Sequence, residues 1–234
     1  MILQGTLVNM AAVAIGCGAG LVIGKGIPER ASDNLQKGLG LCTLYIGISG
    51  ALVDVQILAV VLSMAVGALI GGLADLDGML RRLGDMIQEK MKMGGKSSVS
   101  DAFVSASLLF CVGAMSIVGS IQSGLGDHGT IYTKSLLDGV MAVVFTSRFG
   151  FGVIFSCGAI LVYQGFFEIL ASVVGPYMTD PLTALIACVG SIIIAGLGLN
   201  MIGAAKIKVM NLVPAIFVAV PVYYLFEWIA KLNA

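Results

Sequence analysis

The segment Leu182–Ile202 reads LTALIACVGSIIIAGLGLNMI, 21 residues without a charge. About 20 apolar residues in a helix are what it takes to cross the roughly 30 Å hydrocarbon core of a bilayer. Seven further stretches have the same character: Gly5–Gly24, Leu39–Val53, Val55–Leu73, Ala102–Ile121, Ser135–Ser147, Phe151–Val174 and Val209–Ile229. Between them lie Lys25–Lys37, Asp54, Ala74–Asp101, Gln122–Lys134, Arg148, Gly175–Pro181 and Gly203–Lys208. Composition agrees: of 234 residues, 58% are hydrophobic and 11% charged, against about a quarter charged in soluble domains. Mean hydropathy is +1.02. The sequence therefore predicts an all-α, polytopic helical membrane protein with about eight transmembrane helices, a single integral membrane domain over residues 1–234.

This composition excludes a soluble enzyme, a nucleic-acid binder and a secreted disulfide scaffold. The 13 basic and 13 acidic residues cancel, so function has to come from where the few charges stand. Cys17, Cys42, Cys111, Cys157 and Cys188 each lie inside an apolar run with no Cys-x-x-Cys pair, and free Cys packs as a compact hydrophobe. The single histidine, His128, falls in a polar loop and reads as a surface residue. No metal site and no cofactor are expected from this material. Met1-Ile2-Leu3-Gln4-Gly5 lacks the basic start of a cleavable signal, so the first apolar stretch is expected to stay as a span.

Lys and Arg are retained on the cytoplasmic side of short loops. With the N-terminus outside, the cytoplasmic segments hold Lys25, Arg30, Lys37, Arg81, Arg82, Lys90, Lys92, Lys96, Arg148, Lys206 and Lys208, eleven residues against Lys134 and Lys231 outside. Omitting the break at Ser147-Arg148-Phe149-Gly150 gives seven spans and moves Lys206 and Lys208 outside. Eight spans with both termini outside fit the bias better.

Residues 75–100 read as a cytoplasmic amphipathic helix and joint between the first three and last five spans. Leu76, Met79, Leu80, Leu83, Met86 and Ile87 recur at helical spacing, and Gly94-Gly95-Lys96-Ser97-Ser98 reads as the joint. The 32 glycines bear on packing, because lipid gives helices no hydrophobic reason to associate and small residues let backbones approach. Ala12, Gly16, Gly20 and Gly24 form one stripe; Ser63, Gly67 and Gly71 form another. Internal repeats are hinted at by Cys42, Cys111, Cys157 and Cys188, each followed eight residues later by glycine. Chance likeness in such an alphabet accounts for the same matches.

Polar residues inside the spans are the candidates for function, since a charge at the bilayer centre costs about 2.5–3.5 kcal/mol and has to find partners or a wet cavity. Asp138 leads. It lies four residues into a 13-residue span too short to cross alone, although Ser135-x-x-Asp138 also reads as a capping box. Asn9, Asn200 and Asn211 can contact polar cargo or bond between helices. Gln122 ends the fourth span and Gln164 lies in the sixth, with Glu168 one turn on. Arg148 is the candidate gating or interface residue, with anchoring to lipid phosphates as the plainer role. Pro214 and Pro221 predict a kinked last span.

Gly5-Thr-Leu-Val-Asn9, Gly119-Ser-Ile-Gln122 followed by Gly124-Leu125-Gly126-Asp127, Lys134-Ser-Leu-Leu-Asp138-Gly139, and Gly196-Leu-Gly-Leu-Asn200 together resemble the YqgA/YdfK family of bacterial inner-membrane proteins over nearly the whole chain. That is a family of unknown function loosely described as transport proteins. The resemblance implies a bacterial cytoplasmic-membrane location and this architecture, and carries over no site residues.

Three functions remain. A small-molecule or ion transporter or channel would use Asp138 and the three asparagines to line a path. It would not be ATP-driven by itself, since no Gly-x-x-x-x-Gly-Lys-Ser occurs. A lipid-acting enzyme lacks a His-Glu-x-x-His or Gly-x-Ser-x-Gly set, so the chain is expected not to be an enzyme. A structural or sensory membrane partner that moves nothing is the alternative, marked by a solid interior and an Asp138 exposed at the outer surface. Expected partners are the lipid bilayer and a small polar solute or ion, and no nucleic acid.

Overall fold

The computed structural model describes residues 3–23, 28–79, 82, 98–111, 114–175 and 179–232, and no strand occurs among them. The helices are α1 (Gln4–Ile23), α2 (Glu29–Ala51), α3 (Ile57–Ala74), α4 (Ser98–Cys111), α5 (Ala114–Gly124), α6 (Gly129–Phe149), α7 (Ser156–Val174), α8 (Asp180–Met201) and α9 (Pro214–Leu232). Short 3-10 turns, Gly150–Phe155 and Val209–Leu212, lead into α7 and α9. Five segments among the described residues are long and apolar enough to cross a membrane: Gln4–Ile23, Ile57–Ala74, Gly150–Val174, Asp180–Met201 and Val209–Leu232. Their outward residues are apolar: Ile15, Val22, Leu73, Val162, Phe166 and Trp228 are more than half exposed. In water such a surface would drive aggregation, whereas in lipid it is the expected boundary. The protein is an all-α helical membrane protein.

Several boundaries differ from the expectation. Helix α2 starts at Glu29, inside the expected Lys25–Lys37 connection, because Glu29–Lys37 holds no Gly or Pro and helix formation does not need apolar residues. Helices α4 and α5 account for the expected stretch Ala102–Ile121 on either side of residues 112–113, which lie outside the described residues. The largest difference is α6, which has 21 residues rather than 13. Its start is marked by Asp127, whose Oδ1 accepts the Gly129 N–H at 3.0 Å, so Thr130–Lys134 belongs to the helix. Ser135 does not cap: its hydroxyl donates to Ile131 O at 2.7 Å, and Asp138 stands well inside the helix. Helix α3 ends at Asp75, in the left-handed conformation at φ 47°. The amphipathic pattern and joint expected over 75–100 fall largely on residues 80–81 and 83–97, outside the described residues. Pro214 opens α9 and Pro221 lies inside it.

The chain forms two compact units, Met1–Gln36 with Met79–Gly175, and Lys37–Gly78 with Pro176–Ala234. In the first, α1 runs parallel to α6: Gly5 meets Ile131, and Gly20 meets Val143 and Thr146. A Cβ on Gly16 would overlap the carbonyl oxygen of Gly139, so the two backbones touch. Val13, Cys17, Phe110, Ala142, Val153 and Ile160 fill the core beside this contact. The start of α1 also meets the end of α7, through Gly5 and Glu168. Since Gly5 touches both the start of α6 and the end of α7, the long apolar region turns back on itself at Gly150, where φ is +76°.

In the second unit α2 packs antiparallel on α8, with Gly40 at Met201, Gly47 at Ala195 and Gly50 at Ser191. Helix α3 packs antiparallel on α9, Gly67 against Ala215, while Gly71 abuts the Asn211 carbonyl in the preceding 3-10 turn. The Cys-to-Gly spacing noted in the sequence runs within α8 at Cys188 and Gly196, but spans α4 and α5 at Cys111 and Gly119.

Gly16→Leu should cost about 3 kcal/mol by forcing α1 off α6, read as a lower midpoint of thermal unfolding in detergent. Gly18→Leu, on the same helix with nothing within 4 Å of its missing Cβ, should leave the midpoint nearly unchanged.

Candidate functional site

The backbone contact of α1 with α6 sets the polar residues of three helices against one another. Asn9 of α1 is fully buried, and its Nδ2 donates to Asp138 Oδ2 on α6 and to Gln164 Oε1 on α7, each at 3.0 Å. One turn before Asp138 on the same face, as i,i+4 spacing dictates, Lys134 Nζ lies 2.5 Å from the same Oδ2. Lys134 and Asp138 are 5% and 7% exposed. A buried ion pair of this kind is held by its own partner: removing one member leaves an uncompensated charge, at a cost of about 3–5 kcal/mol.

Gln164 and Glu168 are likewise one turn apart, and Glu168 is 1% exposed. Its carboxylate accepts from Gly5 N at 3.0 Å, Thr6 N at 2.9 Å, Thr6 Oγ1 at 2.6 Å and Ser123 Oγ at 2.6 Å. The N–H groups in the first turn of a helix have no partner within it and carry the positive end of its dipole. Glu168 thus caps α1 from a residue more than 160 positions away, tying α1, α5 and α7 together. Ser123 Oγ is also 2.7 Å from His128 Nδ1, beside a cleft of about 180 Å³ lined by Leu3, Ser123, Gly126, His128 and Glu168. With the serine proton given to Glu168, His128 is the donor to Ser123. That order differs from a hydrolase triad, in which the serine gives its proton to the histidine.

Two buried polar atoms of the cluster, Asn9 Oδ1 and Gln164 Nε2, have no hydrogen-bond partner. Buried polar atoms left in this way are rare in folded proteins. Here they leave one acceptor and one donor for a polar guest, beside a neutral ion pair.

Of the residues singled out by sequence, Asn9, Asp138 and Gln164 come together. Gln122 is buried in the same unit, near the end of α5. Asn200 and Asn211 belong to the second unit and are hydrogen-bonded there. Asn200 clasps the turn after α8, with Nδ2 2.7 Å from Ile207 O and Oδ1 2.8 Å from Ile207 N, and Asn211 Oδ1 accepts from Asp77 N at 2.8 Å. Arg148 stands in the last turn of α6, and its side chain lies outside the described residues. Sequence reasoning missed Lys134, assigned to an outside loop, and the roles of Glu168, Ser123 and His128. The signals were Lys134-x-x-x-Asp138 and Gln164-x-x-x-Glu168, two polar pairs at helical spacing. Among the described residues no three His, Cys, Asp or Glu side chains gather as a metal site. Glu168→Gln replaces one carboxylate oxygen with an NH₂ facing backbone donors, and should destabilise the protein by about 3 kcal/mol, measured by thermal unfolding in detergent.

Comparison with known proteins agrees with this architecture. The chain is 29% identical over 219 residues to the uncharacterised membrane protein YdfK of Bacillus subtilis, covering 92% of this chain and 93% of that one. It is 27% identical over 222 residues to the uncharacterised protein YqgA of Escherichia coli, covering 93% and 94% respectively. No solved structure gives a significant match. The family model described as a protein of unknown function, DUF554, matches residues 4–224, and the chain belongs to that family.

Proposed function

We propose that this protein is a transporter or channel for a small solute or ion in the bacterial cytoplasmic membrane, with eight crossings and both termini outside. The polar cluster of α1, α6 and α7 is its binding site. The observation that carries this reading is the unpartnered pair of amide atoms, Asn9 Oδ1 and Gln164 Nε2, set beside the Lys134–Asp138 ion pair and buried in an apolar bundle. Intramembrane ionisable residues are costly and mark pathways more often than packing. The return of the chain at Gly150 supports the crossing at Arg148 on which the eight-span topology depends. Transport would draw on a gradient, since the chain has no phosphate-binding loop of its own. The alternative, a membrane partner that moves nothing, expects Asp138 at an exposed outer surface, and its 7% exposure counts against that.

Asp138→Asn keeps the shape of the side chain and its bond to Asn9 while removing the charge. Because Lys134 loses its counter-charge, the variant should be less stable by about 3–5 kcal/mol, and the folded fraction reconstituted in proteoliposomes should show pH- or cation-dependent flux lower by at least about tenfold. Unchanged flux in a correctly folded variant would remove Asp138 from the pathway.

A further inference from the structure

Resting on the transport reading, we propose that the cargo is a small uncharged molecule with a carboxamide-like group, an N–H donor beside a carbonyl acceptor, as in a primary amide or urea. The order of the hydrogen bonds fixes which atoms are left for it. Lys134 Nζ donates to Asp138 Oδ2, and the same oxygen accepts from Asn9, so the NH₂ end of Asn9 faces Asp138. That NH₂ gives its second proton to Gln164, which therefore turns its carbonyl oxygen toward Asn9. Reversing Asn9 would set oxygen against oxygen, and reversing Gln164 would set nitrogen against nitrogen. Left over are the far ends of the two amides, Asn9 Oδ1 as an acceptor and Gln164 Nε2 as a donor. Both side chains are fully buried, and both atoms lack a hydrogen-bond partner among the described residues.

These two atoms define what a guest has to bring. The free acceptor asks for an N–H and the free donor asks for an oxygen, and meeting both removes a penalty of roughly 1–3 kcal/mol at each buried unpaired group. A carboxamide carries the two functions on separate atoms, as the two free ends stand on separate side chains. Charge points the same way. Lys134 already neutralises Asp138, and the Glu168 carboxylate is committed to four donors. A cation or anion brought to the two amides would therefore lack a counter-charge in an apolar interior, and a zwitterion would lack two. With an uncharged cargo, any dependence of its flux on pH or on cations enters through the Lys134–Asp138 pair. Glu168, one turn from Gln164 on α7, lines the cleft of about 180 Å³ beside Ser123 and His128, which admits a molecule the size of acetamide.

The test is influx of radiolabelled acetamide and urea into vesicles holding the wild-type protein, compared with protein-free vesicles and with fluxes of Na⁺, K⁺, protons, glycine, glycerol and water. Influx of acetamide and urea should saturate and exceed the protein-free rate by at least about tenfold. Unlabelled propionamide should compete with acetamide, whereas N,N-dimethylacetamide, which has the carbonyl and no N–H, should not. Gln164→Glu keeps an oxygen for Asn9 and puts a second oxygen where the free donor stood, and should lower acetamide influx by at least about tenfold. If that variant does not fold, the competition on the wild type still decides. Influx that does not saturate, or that N,N-dimethylacetamide inhibits as strongly as propionamide, overturns the amide recognition. Movement of ions, glycine, glycerol or water without acetamide or urea overturns it too, and leaves the transport reading standing. No movement of any of these overturns both.

Discussion

The site depends on the backbone contact of α1 with α6. Lipid supplies no hydrophobic force to bring helices together, so association rests on close packing and internal polar bonds. At Gly16 and Gly139 no side chain intervenes. That approach brings Asn9 within 3.0 Å of Asp138. A bulky residue at Gly16, whose Cβ would overlap the Gly139 carbonyl oxygen, would push α1 off α6 and the amide away from the carboxylate.

The polar interactions reinforce the same contact. Glu168 accepts the free N–H groups at the start of α1, Asn9 bridges α6 and α7, and Lys134 neutralises Asp138. Each partner would be costly to bury alone, and together they leave only two amide atoms of the cluster unpartnered. Spare hydrogen-bonding capacity is thus confined, within the cluster, to Asn9 Oδ1 and Gln164 Nε2.

Much of the fold could be read from the sequence because hydropathy reports directly on the solvent: α1, α3, α8 and α9 fall within a few residues of the expected stretches. It could not report where protein rather than lipid surrounds a residue. Thr130–Lys134 looks like a loop because it is polar, yet Thr130, Ile131 and Lys134 are buried against neighbouring helices. For that reason α6 seemed too short and Asp138 seemed close to a helix start. The same limit hid the Glu168 cap, which joins residues more than 160 positions apart. The three asparagines looked equivalent by composition and context, but only Asn9 has two polar partners on other helices, while Asn200 closes the turn after α8 and Asn211 accepts from the backbone just after α3. Gly16 and Gly20 could be recognised as a packing stripe, and which helix they face could not be.

The most direct measurement is a pair of substitutions, Ala12→Cys with Gly139→Cys, in a chain whose five native cysteines are replaced by alanine. A Cβ at position 139 would lie 3.4 Å from that of Ala12, at the short edge of the roughly 3.5–4.5 Å between the Cβ atoms of a disulfide. The account predicts rapid intramolecular crosslinking in native membranes under mild oxidation. Failure to crosslink, while both thiols remain reactive and the protein remains folded, would contradict the helix contact that brings Asn9 to Asp138.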